Sequence, residues 1–285
     1  MSKKYKLTNE TKNFIDFIDH ELHKIKSLSY FSNATKDSFG GYIEKEDNLS
    51  QEGDCWVYDN AMVYGNARVY GDSRVYGNAI VFGNAIIYGD SRVCGDAIVS
   101  DNARVYGNAR VFGNASICDN AMIYDNAIVY GNAIVFGNAI IYGNARVCGN
   151  ASIGKNAYIT STSDYIVIGP IGSRLDYTTF YLDKDRNIYV QCGCYNGTID
   201  EFKDRVIEVH NDNKYAKQYL SAILCATSTF DVKNTNDEKL ANQINYKKRI
   251  DFINRLDFIN RHSVYGITGE FPVTLPKNTK NTDCE

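Results

Sequence analysis

From Gly53 to Thr160 the chain reads in unbroken sixes: GDCWVY, DNAMVY, GNARVY, GDSRVY, GNAIVF, GNAIIY and onward to GNASIG and KNAYIT, eighteen consecutive hexads. A unit this short cannot bury a core of its own, so these units must stack on copies of themselves. Within each hexad the first two positions form a corner and the rest alternate as a short strand. In Gly65 to Tyr70, Ala67 and Val69 point one way, Arg68 and Tyr70 the other, and Gly65-Asn66 make the bend. The fifth position is Val or Ile throughout, from Val57 to Ile159, and the third is Ala, Ser or the single Cys55. Side chains of such uniform size describe a narrow, dry interior. Gly-Asn and Gly-Asp corners suit backbone angles that residues with a Cβ avoid. The array contains no proline, as strands paired on both sides require.

Hexad edges close most simply into a triangle, with three hexads to each coil. The segment GNAIVFGNAIIYG occurs at 77–89 and again at 131–143, three whole coils on. Tyr70, Tyr88, Tyr106, Tyr124 and Tyr142 recur at every third hexad, and Arg74, Arg92, Arg110 and Arg146 are likewise separated by whole coils. A four-sided coil would scatter these sets over different faces. Six triangular coils make a prism about 29 Å long.

This pattern resembles the hexapeptide repeat of the left-handed parallel β-helix (hexapeptide transferase-like) superfamily. The implied fold is mainly β: a left-handed parallel β-helix of about six triangular coils. Many members of that superfamily are acyltransferases using a histidine near a subunit interface. The array here has no histidine, the chain carrying only His20, His23, His210 and His262, and no loop interrupts its coils. That argues against an acyltransferase, which stays as an alternative, and the fold by itself carries no chemistry. The segment GGYIEKEDNLSQEGDCWVYDNA also resembles the leading part of bacterial and prophage-encoded hexapeptide-repeat proteins, and the region after Thr160 resembles a phage-associated α+β module.

Sorted by position in the coil, the outward residues give three unlike faces. One carries the arginine ladder, with Arg74, Arg92 and Arg110 as candidates for an acidic partner or a polyphosphate. The bland alternative is arginines resting on neighbouring tyrosine rings. A second carries Arg68, Ile86, Arg104, Met122 and Ile140 beside the tyrosine ladder. The third carries Met62, Tyr64, Ile80, Phe82, Ile98, Ile134 and Phe136 without charge, an apolar stripe that reads as an oligomer interface. The resemblance implies a homotrimer along that axis.

The predicted organisation is an N-terminal β cap over 1–52, the β-helix over 53–160, an α+β module over 161–231, a helical extension over 232–276 and a disordered tail from 277. The cap is needed because an open coil exposes unpaired strand edges. In the module, 165–169, 177–183 and 187–192 read as strands. Thr198 with Glu201 makes a capping box for a helix burying Phe202, Val206 and Val209. A second helix over about 214–229 is expected to bury Tyr219, Ile223 and Leu224.

Candidate binding residues lie in this module: the loop from Gly169 to Arg174, with Ser173 and Arg174 beside backbone amides, then Tyr177, Thr178, Cys192, Cys194 and His210. The loop lacks the GK[ST] ending of a P-loop. Cys192 and Cys194 with His210 have unusual spacing for zinc, and buried thiols are the simpler reading, so neither a metal nor a cofactor is expected. Ser173 or Cys192 with His210 as a nucleophile pair lacks an orienting third group.

The net charge of −3 argues against general nucleic-acid binding, and no stretch approaches the length of a membrane span. The start carries no signal-peptide core. Cys94 and Cys148, separated by three coils, would sit about 14 Å apart on the prism, beyond disulfide reach, which favours free thiols and the cytoplasm. These readings converge on a non-enzymatic binding or scaffold protein, and the resemblance implies a phage or prophage origin. Its oligomeric β-helix would present the module to a host or phage protein or to an anionic small ligand. Counter-defence, by binding an immune protein or sequestering a nucleotide signal, would fit. A structural virion or assembly protein is the third alternative.

Overall fold

The computed structural model describes residues 3–16 and 18–230, within the unit Met1–Val232. The expected extension over 232–276, the tail from 277 and His262 lie outside the described residues.

Each hexad contributes one very short strand, β4 to β21, running from Trp56–Val57 to Tyr158–Ile159. These fall into three parallel sheets in which every third strand is a neighbour, so that Arg74 stands between Trp56 and Arg92, and Ile98 between Ile80 and Ser116. The chain is a triangular parallel β-solenoid of about seven turns. Equivalent residues of successive coils meet along the axis through backbone bonds such as Arg92 N to Ala109 O and Cys94 N to Val111 O, both 2.9 Å. The Ala and Val/Ile positions from Ala97 to Val147 are wholly buried. Ser73 and Ser91, the two polar residues at the Ala position, donate to the Tyr70 and Tyr88 carbonyls at 2.8 Å, which satisfies them inside the core.

The corners explain the glycines. Gly89 has φ +69°, and a Cβ there would stand 2.9 Å from the Gly107 nitrogen of the next coil. At some corners where aspartate replaces glycine the carboxylate compensates: Asp59 Oδ2 accepts from Gly77 N at 3.0 Å and Asp119 Oδ2 from Gly137 N at 2.8 Å. The second corner residue forms its own ladder, with Asn66, Asn84, Asn102 and Asn120 each donating an amide hydrogen to its copy one coil on at 3.0–3.2 Å.

An additional coil precedes the first hexad. Strand β3 (Phe39–Ile43) lies parallel to the array with Tyr42 opposite Met62, and Leu49 bridges Val69, an offset slightly longer than that of the hexad coils. Before it, β1 (Tyr5–Ile15) and β2 (Asp19–Ser27) form an antiparallel hairpin that pairs with β3 and ends the sheet. Buried Lys4 closes this end, its ammonium donating to the Gly53 and Cys55 carbonyls at 3.1 and 3.0 Å and to the Cys55 thiol at 3.3 Å.

At the other end hydroxyls stand in for the carbonyls of the missing coil. Thr162 Oγ1 accepts from Arg146 N at 3.3 Å, the Tyr165 hydroxyl from Cys148 N at 3.1 Å, and Thr179 Oγ1 from Ser152 N at 2.9 Å. Beyond lies a four-stranded antiparallel meander, β22 (Tyr165–Ile171), β23 (Asp176–Leu182), β24 (Ile188–Cys192) and β25 (Tyr195–Thr198), with helices α1 (Ile199–His210) and α2 (Lys214–Phe230). Tyr181 of β23 packs into the solenoid core, whereas Phe180 and Val190 form a second core with Phe202, Val206, Tyr219 and Ile223. The Thr198–Glu201 capping box forms as its sequence predicts. Two expectations change: Val209 and Leu224 are 52% and 45% exposed, because the packed stripes of both helices are narrower than the sequence pattern implies.

Two measurements probe this construction. Val105 is fully buried, so Val105→Asp should cost about 4 kcal/mol or more and unfold the array, because a carboxylate would enter a dry stack without a partner. Half-buried Ile86 faces outward, so Ile86→Lys should stay within about 1 kcal/mol. Equal melting temperatures would refute the inward and outward assignment. At the module junction, burial works to raise the Asp164 carboxyl. The Thr160 amide and hydroxyl, the Ser161 amide and Arg186 outweigh it and hold the group below its ordinary 3.8. Its stabilisation is therefore present at neutral pH and is lost as pH falls through that depressed folded-state value. Asp164→Asn should cost about 1.5–3 kcal/mol at pH 7, and the gap to the parent should narrow as pH falls through that depressed value.

Candidate functional site

The module brings together five of the residues singled out in its sequence. Ser173, Arg174, Cys192, Cys194 and His210 line one cavity of about 400 Å³ with Tyr219. The loop between β22 and β23 supplies Ser173 and Arg174. The tight turn between β24 and β25, with Gly193 at φ +57°, supplies the cysteines, and the end of α1 supplies His210. Arg174 reaches over that turn: a Cβ on Gly193 would lie 3.3 Å from an Arg174 guanidinium nitrogen. The Tyr219 hydroxyl is pushed up to about 12 by burial and by Cys192, with Arg174 pulling the other way, which places all three groups in one electrostatic environment. The His210 ring lies against Tyr215 and Tyr219, with centroids 5.9 and 5.8 Å away.

The loop amides do not behave as expected. Gly172 N donates to Gln218 Oε1 at 2.9 Å, which ties the loop to α2 and removes that amide from any anion. The positive element left is Arg174 itself. Among the described residues Arg186 and Arg205 make ion pairs, with Asp164 and Glu208, and Arg174 makes none. The sequence reading missed Arg205 and Asp176, which also border the cavity, and nothing in their spacing marks them.

Two other expected residues lie elsewhere. Thr178 is fully buried and donates to the Cys192 sulfur at 3.3 Å, so it positions the thiol from behind. Tyr177 lines a separate cavity, also about 400 Å³, with Ile134, Asn150, Ser152 and Gln191, between the prism and the module. Cys192, Cys194 and His210 do not bring their ligand atoms into one coordination sphere. Among the described residues the group that does, within 4.8 Å, is Asp101, Cys118 and Asp119 at a prism corner. There Asp101 and Asp119 already accept amides of the following coil, and burial together with the two carboxylates pushes the Cys118 thiol up to about 11, which keeps it neutral.

The apolar stripe requires correction. Met62 and Tyr64 are buried within the chain, under Phe14 and Leu22 of the N-terminal hairpin, and half-buried Ile80 and Phe82 pack against the same cluster. Phe136 is half-buried, its ring lying over Gly154. Ile98 and Ile134 remain open to solvent, 37% and 44% exposed. Periodicity shows that these residues point outward and cannot show what the N-terminal hairpin covers. On the arginine face, Arg74 and Arg92 border a cleft near the N-terminal cap, and Arg110 lies exposed beyond it. Among the described residues the cysteines, from Cys55 to Cys225, stand as free thiols.

Compared with known protein families, the array matches the YdcK beta-solenoid repeat family in two runs of windows, at residues 57–71, 63–75 and 73–89 and at 103–119, 115–131 and 129–143. Together these windows span about a quarter of the chain and leave the caps and the module outside them. No curated protein matches the chain. Among the described residues no helix is long and apolar enough to cross a membrane.

Proposed function

We propose that the chain is a non-catalytic binding protein in which a rigid β-solenoid carries a module that takes a small anionic ligand. The observation that carries this reading is the convergence of Arg174, without a carboxylate partner among the described residues, with Ser173, Cys192, Cys194 and His210 in one cavity of about 400 Å³. A pocket of that size with a few convergent polar groups on an aromatic wall is suited to a small molecule. Arginine fits phosphate and carboxylate better than any other side chain. A host or phage protein as the partner, and a phage or prophage origin, belong to the same proposal and rest on the resemblance carried by residues 40–61.

Self-association is its second element. Ile98 and Ile134, the exposed isoleucines on either side of Ser116, lie between the hairpin-covered end and the module end of one face, where a second copy of the chain can cover them.

Native mass spectrometry of the purified protein tests both elements. Arg174→Ala should strip a co-purified anion while the melting temperature shifts by less than about 2 °C, because the side chain supports no packing. Retention of the anion by that variant would refute the cavity as the site. Ile98→Lys combined with Ile134→Lys should reduce the oligomer to smaller species by light scattering, since like charges would face each other at every contact. An unchanged mass would move the contact to another surface.

A further inference from the structure

Among the described residues, three buried side-chain polar atoms have no hydrogen-bond partner: Ser32 Oγ, the Tyr58 hydroxyl and Asn196 Oδ1. Such orphans are rare and call for an explanation, often a missing ligand or ion. Two of the three belong to one region. Tyr58 lines a cleft of about 220 Å³ with Asn33, Asp59, Arg74, Tyr76 and Arg92, and Ser32 is the chain neighbour of Asn33.

The cleft is built by two unrelated parts of the chain. Its floor is the start of the arginine ladder, where Arg74 and Arg92 stand in register on adjacent parallel strands, about 4.8 Å apart. Neither guanidinium has a carboxylate within ion-pair distance among the described residues, where the paired arginines are Arg186 and Arg205. Two unpaired cations on neighbouring strands repel each other, and an anion between them relieves that repulsion. The rim is the turn from Phe31 to Ala34, closed by reciprocal backbone bonds of 3.2 and 2.9 Å and anchored by Phe31 edge-on against Trp56 at 5.0 Å. In this turn Ser32 has φ +48°, a left-handed conformation that serine seldom adopts, and the turn brings Asn33 to the cleft.

Tyr58 and Tyr76 supply aromatic walls. Asp59 uses one carboxylate oxygen on Gly77 N, which leaves the other for a donor on the ligand. The volume is below the range of drug-sized pockets, so it suits a single ring and not a dinucleotide.

We propose that this cleft binds a small phosphorylated aromatic molecule, with its phosphate held by Arg74, Arg92 and the orphan Tyr58 hydroxyl and its ring against Tyr76. Phosphate fits because its oxygens can accept from both guanidinium groups, the hydroxyl and the Asn33 amide at once. The site lies at the opposite end of the array from the module cavity and does not depend on it.

Phenyl phosphate titrated calorimetrically into the full chain tests this, with inorganic phosphate and phenol as comparators. Phenyl phosphate should bind at least about tenfold more tightly than either. Arg92→Gln should weaken it about tenfold or more, and Arg104→Gln, on another face, should leave it unchanged. Tyr58→Phe is the sharpest variant. It should weaken binding about tenfold while the melting temperature stays level or rises, because it removes a buried hydroxyl that has no partner. The proposal is overturned if phenyl phosphate does not bind, if inorganic phosphate binds as tightly, if Tyr58→Phe retains parental affinity, or if binding is lost in Arg174→Ala instead of Arg92→Gln.

Discussion

Every coil of this protein hangs from the next by backbone hydrogen bonds between equivalent positions of successive coils, and that constant spacing dictates nearly everything else. A side chain in such a stack meets its own copy one coil above and one below. Inside, only residues of matched size can occupy equivalent places, which is why the third position stays Ala or Ser, apart from Cys55 in the first hexad, and the fifth Val or Ile. At the corners, the backbones come so close that glycine prevails. The aspartates at 59, 101 and 119 offset the strain of a Cβ by reaching an amide of the following coil, whereas Asp125 and Lys155 stand at positive φ without that bond. Outside, the same rule turns single residues into ladders. Tyr88, Tyr106 and Tyr124 stack face to face at 4.7–4.8 Å, an arrangement that the coil spacing imposes whether or not the rings attract.

The rule also explains which parts of the structure were legible. Within the hexads, orientation follows from position alone, so the three faces, their register and the buried set could be read residue by residue. The preceding coil escapes because its spacing is longer and its sequence has no repeat, although Gly40 and Gly41 sit where any Cβ would collide with the first hexads. The apolar stripe was assigned to the correct face and, in part, to the wrong covering. Met62 and Tyr64 point outward as periodicity requires, yet the hairpin carrying Phe14 and Leu22 folds over them. Periodicity reports the direction of a side chain, whereas its neighbour depends on contacts between segments far apart in sequence.

The module shows the same division. The capping box at Thr198 depends on residues one helical turn apart and forms as written. The cavity depends on how two loops and a helix end meet: Arg174 reaches the Cys192–Cys194 turn because Gln218 pins the loop at Gly172. No local pattern marks that tie. The N-terminal cleft is still less visible from sequence, since Asn33 and Tyr58 carry no motif. The sequence marks Arg74 and Arg92 as an anion-binding ladder, and the orphaned Tyr58 hydroxyl beside them appears only in the folded chain.

The two ends of the solenoid are sealed by groups that belong to no repeat, the Lys4 ammonium at one and the hydroxyls of Thr162, Tyr165 and Thr179 at the other. Because each seal bonds only to the coil it touches, the number of coils between them is free to vary. Inserting or deleting one whole coil would leave both seals intact and shift the ends along the axis in steps of about 4.8 Å. The identical segments at 77–89 and 131–143 show how closely one stretch of coil can stand in for another. The array is thus an adjustable ruler, on which duplication of a coil changes reach without redesigning anything that the ends hold.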